Sequence, residues 1–154
     1  MMKFLENRIP PPLVAILIAA GMWYLSTLTP VILLTSTIKI TLVITFIIAG
    51  IFFALSGAIS FRLAKTTVNP LKPDTASALV TSGIYQFTRN PMYVGFVAFL
   101  LAWTSYLGSG WAVALIILYM AYIQRFQITP EERALTTLFK DEFIEYKKQV
   151  RTWL

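Results

Sequence analysis

No charged side chain stands between Lys39 and Arg62. A run of that length, built of Ile, Phe, Leu and Ala with a few hydroxyls, reaches across about 30 Å of hydrocarbon once it is helical. The alternative, burial in a soluble core, fails on composition. The chain has 154 residues, of which 57% are hydrophobic and 13% charged, against roughly 25% charged in an ordinary soluble domain. A soluble domain of this size cannot cover so much apolar surface. The chain therefore reads as a single-domain, all-α integral membrane protein.

Four apolar stretches carry this reading. The first runs from about Leu13 to Leu28, after Pro10-Pro11-Pro12 and before Thr29-Pro30; it lacks a small-residue cleavage site and is kept as a span. The second covers about Ile38 to Phe61, the third Pro91 to Leu107, and the fourth Trp111 to about Phe126. Gly108-Ser109-Gly110 leaves only a tight turn between the last two, so an antiparallel helical hairpin is expected. Lys3 and Arg8 precede span one; Arg62, Lys65, Lys72 and Arg89 separate spans two and three; Arg125, Arg133, Lys140, Lys147, Lys148 and Arg151 follow span four. The loops on the other side hold only Lys39. Four spans with both termini cytoplasmic, in a cell inner membrane, satisfy the positive-inside rule. The net charge of +6 is then topological, with some attraction to anionic headgroups, and does not point to nucleic acid.

Two segments are left on the cytoplasmic side. Residues 64–88, with Asn69-Pro70, Lys72-Pro73 and Ser82-Gly83, read as an irregular loop. From Thr129 onward, Leu135, Leu138, Phe139, Phe143, Tyr146 and Val150 recur at three- and four-residue steps, an amphipathic helix. Thr129 as N-cap, Pro130 in the first turn and Glu132 at the third helical position form a capping box for its start.

The chain has no cysteine and no histidine. Thiolate chemistry, the commonest metal ligand and the usual general base near neutral pH are all excluded, and no metal site is expected. Chemistry must run on carboxylates, Arg, Tyr, amides and a bound cofactor. The candidates gather at one depth, the cytoplasmic margin. Gly83, Tyr85, Arg89, Asn90 and Tyr93 stand at the mouth of span three, Arg125 and Gln127 at the exit of span four, and Glu131 and Glu132 just after it. Each has a plain structural explanation: a snorkelling cation, an Asn-Pro helix start, belt tyrosines, glutamates on a helix dipole. Their convergence is harder to explain so, because polar and ionic groups sharing a dry margin cost free energy unless they bind something.

The run DTASALVTSGIYQFTRNPMYVGF, from Asp74 to Phe96, resembles the signature of the isoprenylcysteine carboxyl methyltransferase family, and so does the tail from Glu131-Glu132 through Leu135, Phe139, Phe143, Tyr146 and Val150. The likeness covers about the C-terminal half. Related phospholipid N-methyltransferases share the plan of a membrane helix pair followed by a Glu-Glu helix. The resemblance implies a methyltransferase that uses S-adenosylmethionine at the membrane margin. It places Ser77, Ala78, Leu79 and Val80 along the cofactor, Tyr85 against it, Asn90, Pro91, Met92 and Tyr93 around it, and Glu131 on it from the tail. Arg89 is then suited to the cofactor carboxylate or to holding the glutamates, and Glu132 to taking a proton from an amine or thiol acceptor; both are assigned to catalysis.

Three positions depart from the pattern. Asn90 stands where many members carry His, and Lys140 where a Gly usually follows the tail Phe. Gln127 stands where prenylcysteine methyltransferases place an Arg for the substrate carboxylate, with Arg125 a nearby substitute; these two are the candidate substrate contacts. The acceptor expected is lipophilic or amphipathic, drawn from among the membrane lipids or a small molecule dissolved there. The chain's small size leaves room for a homodimer. A non-catalytic helical scaffold is the competing reading. A transporter is disfavoured, because the span centres offer only Ser and Thr, such as Thr41, Thr45 and Ser56, as polar groups.

Overall fold

The computed structural model describes residues 6–65 and 77–154. The loop reading for 66–76, with the motif residues Asp74 to Ala76, lies outside them, as does Lys3. Among the described residues there is no strand, and every regular element is helical.

Helices α1 (Pro11–Leu28), α2 (Ser36–Leu63), α3 (Pro91–Leu107) and α4 (Ala112–Ile123) are followed by a π-helical turn (Gln124–Ile128) and α5 (Thr129–Gln149). Three helical stretches are long and apolar enough to cross a membrane: Pro11–Leu28, Ser36–Leu63 and the continuous Ala112–Gln149; α3 is equally apolar but has 17 residues. Large aliphatic side chains of α2, among them Ile40, Ile44, Ile48 and Ile59, face outward. Such a surface is stable against lipid and not against water.

The core lies where α1, α3 and α4 meet, around Val14, Met22, Leu100, Ile116, Tyr119 and Ile123. The Trp103 indole adds a hydrogen bond to the Ala19 carbonyl at 3.0 Å, tying α3 to α1. Helix α2 packs on α3 with the backbones in near contact. A Cβ on Gly95 would lie 3.0 Å from the Gly50 carbonyl oxygen, and one on Gly57 would lie 2.9 Å from Met92 Cγ. Small residues at helix–helix contacts permit this approach in lipid, where there is no hydrophobic drive between helices. The expected hairpin is present: Gly108 ends α3 in the left-handed region (φ 66°), and its carbonyl accepts from Ile32 N–H at 2.7 Å.

The tail departs from expectation twice. Thr129 is not an N-cap. Its backbone is helical (φ −60°, ψ −46°), and α5 continues out of α4 without a break. Pro130 supplies the physical reason. Lacking an N–H, it cannot close the ladder to the Phe126 carbonyl; the ladder widens to a π turn in which Thr129 N–H and Oγ1 both reach the Gln124 carbonyl, the latter at 2.7 Å. The Phe126 carbonyl is taken up by Asn7 N–H at 3.0 Å.

Nor is the tail one straight helix. Lys140 adopts φ 44°, ψ −119°, a left-handed conformation open mainly to glycine. The chain doubles back there. Glu132 and Lys147 form an ion pair at 2.7 Å, whereas fifteen residues of straight helix would hold them about 22 Å apart. Leu135 and Phe139 of the first arm thereby pack against Phe143, Tyr146 and Val150 of the second. Lys140→Gly should remove the strain and raise stability by about 1–2 kcal/mol, read as a higher thermal midpoint in detergent; an unchanged midpoint would mean the turn carries no strain.

Candidate functional site

The loop reaches the site through a short 3-10 turn (Gly83–Gln86), opened by Gly83 at φ 63°. The turn swings Tyr85 inward, edge-on against Phe61 of α2 with ring centroids 5.4 Å apart. The Tyr85 carbonyl accepts from the Tyr146 hydroxyl at 2.6 Å, so the second arm of α5 holds the loop. Burial, with Tyr146 and Glu131 nearby, holds the Tyr85 phenol pKa well above its usual value, so it stays neutral. Leu79 packs on the Phe143–Tyr146–Val150 cluster, and Val80 is buried. Ser77 is exposed and Ala78 partly so.

At the start of α3, Pro91 and Met92 rest on Gly57 of α2. Asn90 occupies the N-cap position but makes no capping bond; its amide donates instead to the Thr152 carbonyl at 2.9 Å. One turn on, buried Tyr93 donates its hydroxyl to Glu131 Oε1 at 2.6 Å. This bond joins the two motifs, 38 residues apart in sequence.

The two tail glutamates then part company. Glu132 is held by cations on both sides, Arg89 at 2.6 Å and Lys147 at 2.7 Å. Burial alone would raise its pKa, but Lys147 and Arg89 outweigh it and hold the carboxyl below its usual value. Glu131 has a tyrosine hydroxyl as its hydrogen-bond partner and, among the described residues, no ion pair. Burial pushes its pKa up to about 8, assisted by the charge of Glu132 and opposed only by the Tyr93 bond. A buried carboxylate without a cation is costly to ionise.

Arg89 was expected to be open to a ligand carboxylate or engaged with the glutamates. Its guanidinium bonds Glu132 and Thr152 Oγ1, each at 2.6 Å, the Lys147 carbonyl at 3.4 Å, and the Val150 carbonyl. Both terminal nitrogens are taken by the protein itself, while Nε has no partner among the described residues. Gln127 and Arg125 face the N-terminal segment. Gln127 is fully buried and donates to the Ile9 carbonyl at 2.9 Å, while Arg125 pairs with Glu6 at 3.0 Å. Glu6 also pairs with Arg133. The structure thus assembles Tyr85, Arg89, Asn90, Tyr93, Glu131 and Glu132, and gives Arg125 and Gln127 partners elsewhere. A recess of about 480 Å³ opens beside Tyr146, lined by Thr81, Gln86, Gln149 and Val150.

Lys147, Thr152 and Tyr146 were not assigned to the site from sequence. Helical spacing places Lys147 far from Glu132; the Lys140-for-Gly departure was the signal that the chain reverses there.

Residues 38–142 match the phospholipid methyltransferase family. The chain is 43% identical over 63 residues to an uncharacterized protein of Haemophilus influenzae, a match covering 41% of this chain and all of that protein. It is 39% identical over 74 residues to the protein-S-isoprenylcysteine O-methyltransferase of Schizosaccharomyces pombe, covering 47% of this chain and 30% of that protein. No solved structure matches. Because the family match takes in more than half of the sequence, including Arg89, Tyr93 and both tail glutamates, this chain belongs to the phospholipid methyltransferase family.

Proposed function

We propose that this chain is an S-adenosylmethionine-dependent methyltransferase that crosses the inner membrane four times with both termini cytoplasmic. It methylates a lipophilic or amphipathic acceptor at the cytoplasmic margin. The carrying observation is the Tyr93–Glu131 pair, which presents between the two family motifs a buried carboxylate with no cation paired to it among the described residues.

The residues fit the cofactor that the family implies. Bound there, S-adenosylmethionine would supply an already activated methyl group on a cationic sulfonium. Glu131 would meet its positive charge or ribose hydroxyls, Tyr93 and Tyr85 would offer ring faces, and residues 77–80 and 90–92 would close around it. The protein's task is to hold donor and acceptor in line and dry. A carboxylate acceptor needs no base. For an amine or thiol, Glu131 is better matched than Glu132 to accept a proton near neutral pH, since Glu132 is kept ionised by its two cations. An acceptor carboxylate would compete with Glu6 for Arg125.

Calorimetry of the detergent-purified chain tests this. Micromolar binding of S-adenosylmethionine and S-adenosylhomocysteine is expected, weakened five- to tenfold in Tyr93→Phe, which loses the hydrogen bond that orients the Glu131 carboxyl. Wild-type protein that binds neither ligand in several detergents would return the chain to a non-catalytic helical scaffold.

A further inference from the structure

Residues 151–154 lie beyond every motif in the sequence and beyond the family match, which ends at 142. They are nevertheless bound to the site. At Val150 the backbone turns extended (φ −121°, ψ 136°) and runs across residues 88–90 as a strap. The Arg151 carbonyl accepts from Arg89 N–H at 2.9 Å. The Thr152 carbonyl accepts from Asn90 Nδ2 at 2.9 Å and from the hydroxyl of fully buried Thr88 at 3.3 Å. The Trp153 indole donates to Gln124 Oε1 in the π turn at 3.0 Å, and its ring packs on the α1–α3–α4 core.

One contact reaches the chemistry. Thr152 Oγ1 and Glu132 Oε1 accept from the same guanidinium nitrogen of Arg89, each at 2.6 Å. A planar fork held by two acceptors on one nitrogen and by main-chain carbonyls on the other cannot rotate without breaking bonds. Glu132 is fixed by that fork, and Glu131 precedes it on the same helical turn. We propose that Thr152 is a positioning residue of the ligand site: through Arg89 and Glu132 it sets where the Glu131 carboxylate meets Tyr93 and the ligand. The proposal rests on reading Glu131 as the cofactor contact.

The test is calorimetry of the full chain with S-adenosylhomocysteine. Thr152→Val keeps the shape and the main-chain carbonyl but removes the hydroxyl, and should weaken binding about tenfold. Thr152→Ser restores the hydroxyl and should stay within threefold of wild type. In an Arg89→Lys background, which has no fork to orient, Thr152→Val should change affinity less than twofold. Thr152→Val binding within twofold of wild type overturns the proposal. So does failure of Thr152→Ser to rescue, or an equal loss in the Arg89→Lys background. A Thr152→Val protein that no longer folds assigns the strap to stability and overturns it as well. Wild-type protein that binds nothing removes the cofactor reading itself, a different result from wild-type binding indifferent to residue 152.

Discussion

Glu131→Gln is expected to melt several degrees above the wild-type chain at pH 8.5 and to bind S-adenosylhomocysteine at least tenfold more weakly. Both effects come from one buried charge. The Glu131 pKa is raised from an ordinary 4.5 to about 8 by burial. Between those values the folded chain holds a proton that the unfolded chain releases. The stability associated with that proton is fully present below about pH 4.5 and is lost as pH rises through about 8. Above pH 8 the folded state carries an ionised carboxylate with a phenol and, among the described residues, no cation for company. At about 1.4 kcal/mol per unit, the penalty is of the order of 3–5 kcal/mol. Glutamine still accepts the Tyr93 hydroxyl bond and carries no charge, so it removes the penalty without opening a cavity. Thermal melts from pH 5 to 9 should show the two proteins close together near pH 5, separating progressively as pH rises towards about 8, and running parallel above it. A variant that is less stable than wild type at every pH would mean that the carboxylate has a cationic partner in the protein. A gain in stability joined to a loss of binding is what a site that keeps an unfavourable charge for its ligand should give.

How much of this was legible in the sequence depends on the range of the interaction. Hydropathy placed the α3–α4 hairpin, because Gly108 and a short polar turn between apolar helices leave no other connection. The motif spacing brought Tyr93 and the tail glutamates to one margin, because consecutive antiparallel helices must end together. The interior of the tail was not legible. Thr129, Pro130 and Glu132 spell a helix start, and a start is what local rules return; the proline instead widens an unbroken helix, since Asn7 is there to take the freed Phe126 carbonyl. That partner is more than a hundred residues away and carries no local signal. Lys140 was visible as a lysine in a glycine's place, yet its consequence, Lys147 against Glu132, needed the backbone. Arg89 was legible as a cation for a ligand carboxylate or for the glutamates, and it holds Glu132; which of the two applied depended on partners that a sequence does not show. The strap that fills its fork follows the last motif and has no periodicity to betray it.

Arg89→Ala should be the most destabilising single change at this margin, by about 3–5 kcal/mol. The Arg89 side chain is only 10% exposed. Removing it leaves Glu132 with Lys147 alone, and Lys147 is itself 38% exposed and screened accordingly. The Val150 and Lys147 carbonyls and Thr152 Oγ1 lose a donor together, so the doubled-back tail and the strap loosen as a unit. Arg89→Lys should fall between, because an ammonium can keep Glu132 or a carbonyl but not the whole fork. The loss should also depend on pH, opposite in sign to that of Glu131. The Glu132 pKa is held below its ordinary value by Lys147 and Arg89 against burial, so its contribution is present above about pH 4.5 and disappears as pH falls through the folded-state value. Urea or thermal unfolding in a fixed detergent, at pH 7 and again near pH 3, should therefore show the wild-type and Arg89→Ala proteins well separated at the first and closer at the second. A separation of less than about 1 kcal/mol at pH 7 would mean that the fork is not what holds the tail to α3. The Tyr93–Glu131 contact would then have to be maintained by the packing of Leu135, Phe139, Phe143 and Tyr146 alone.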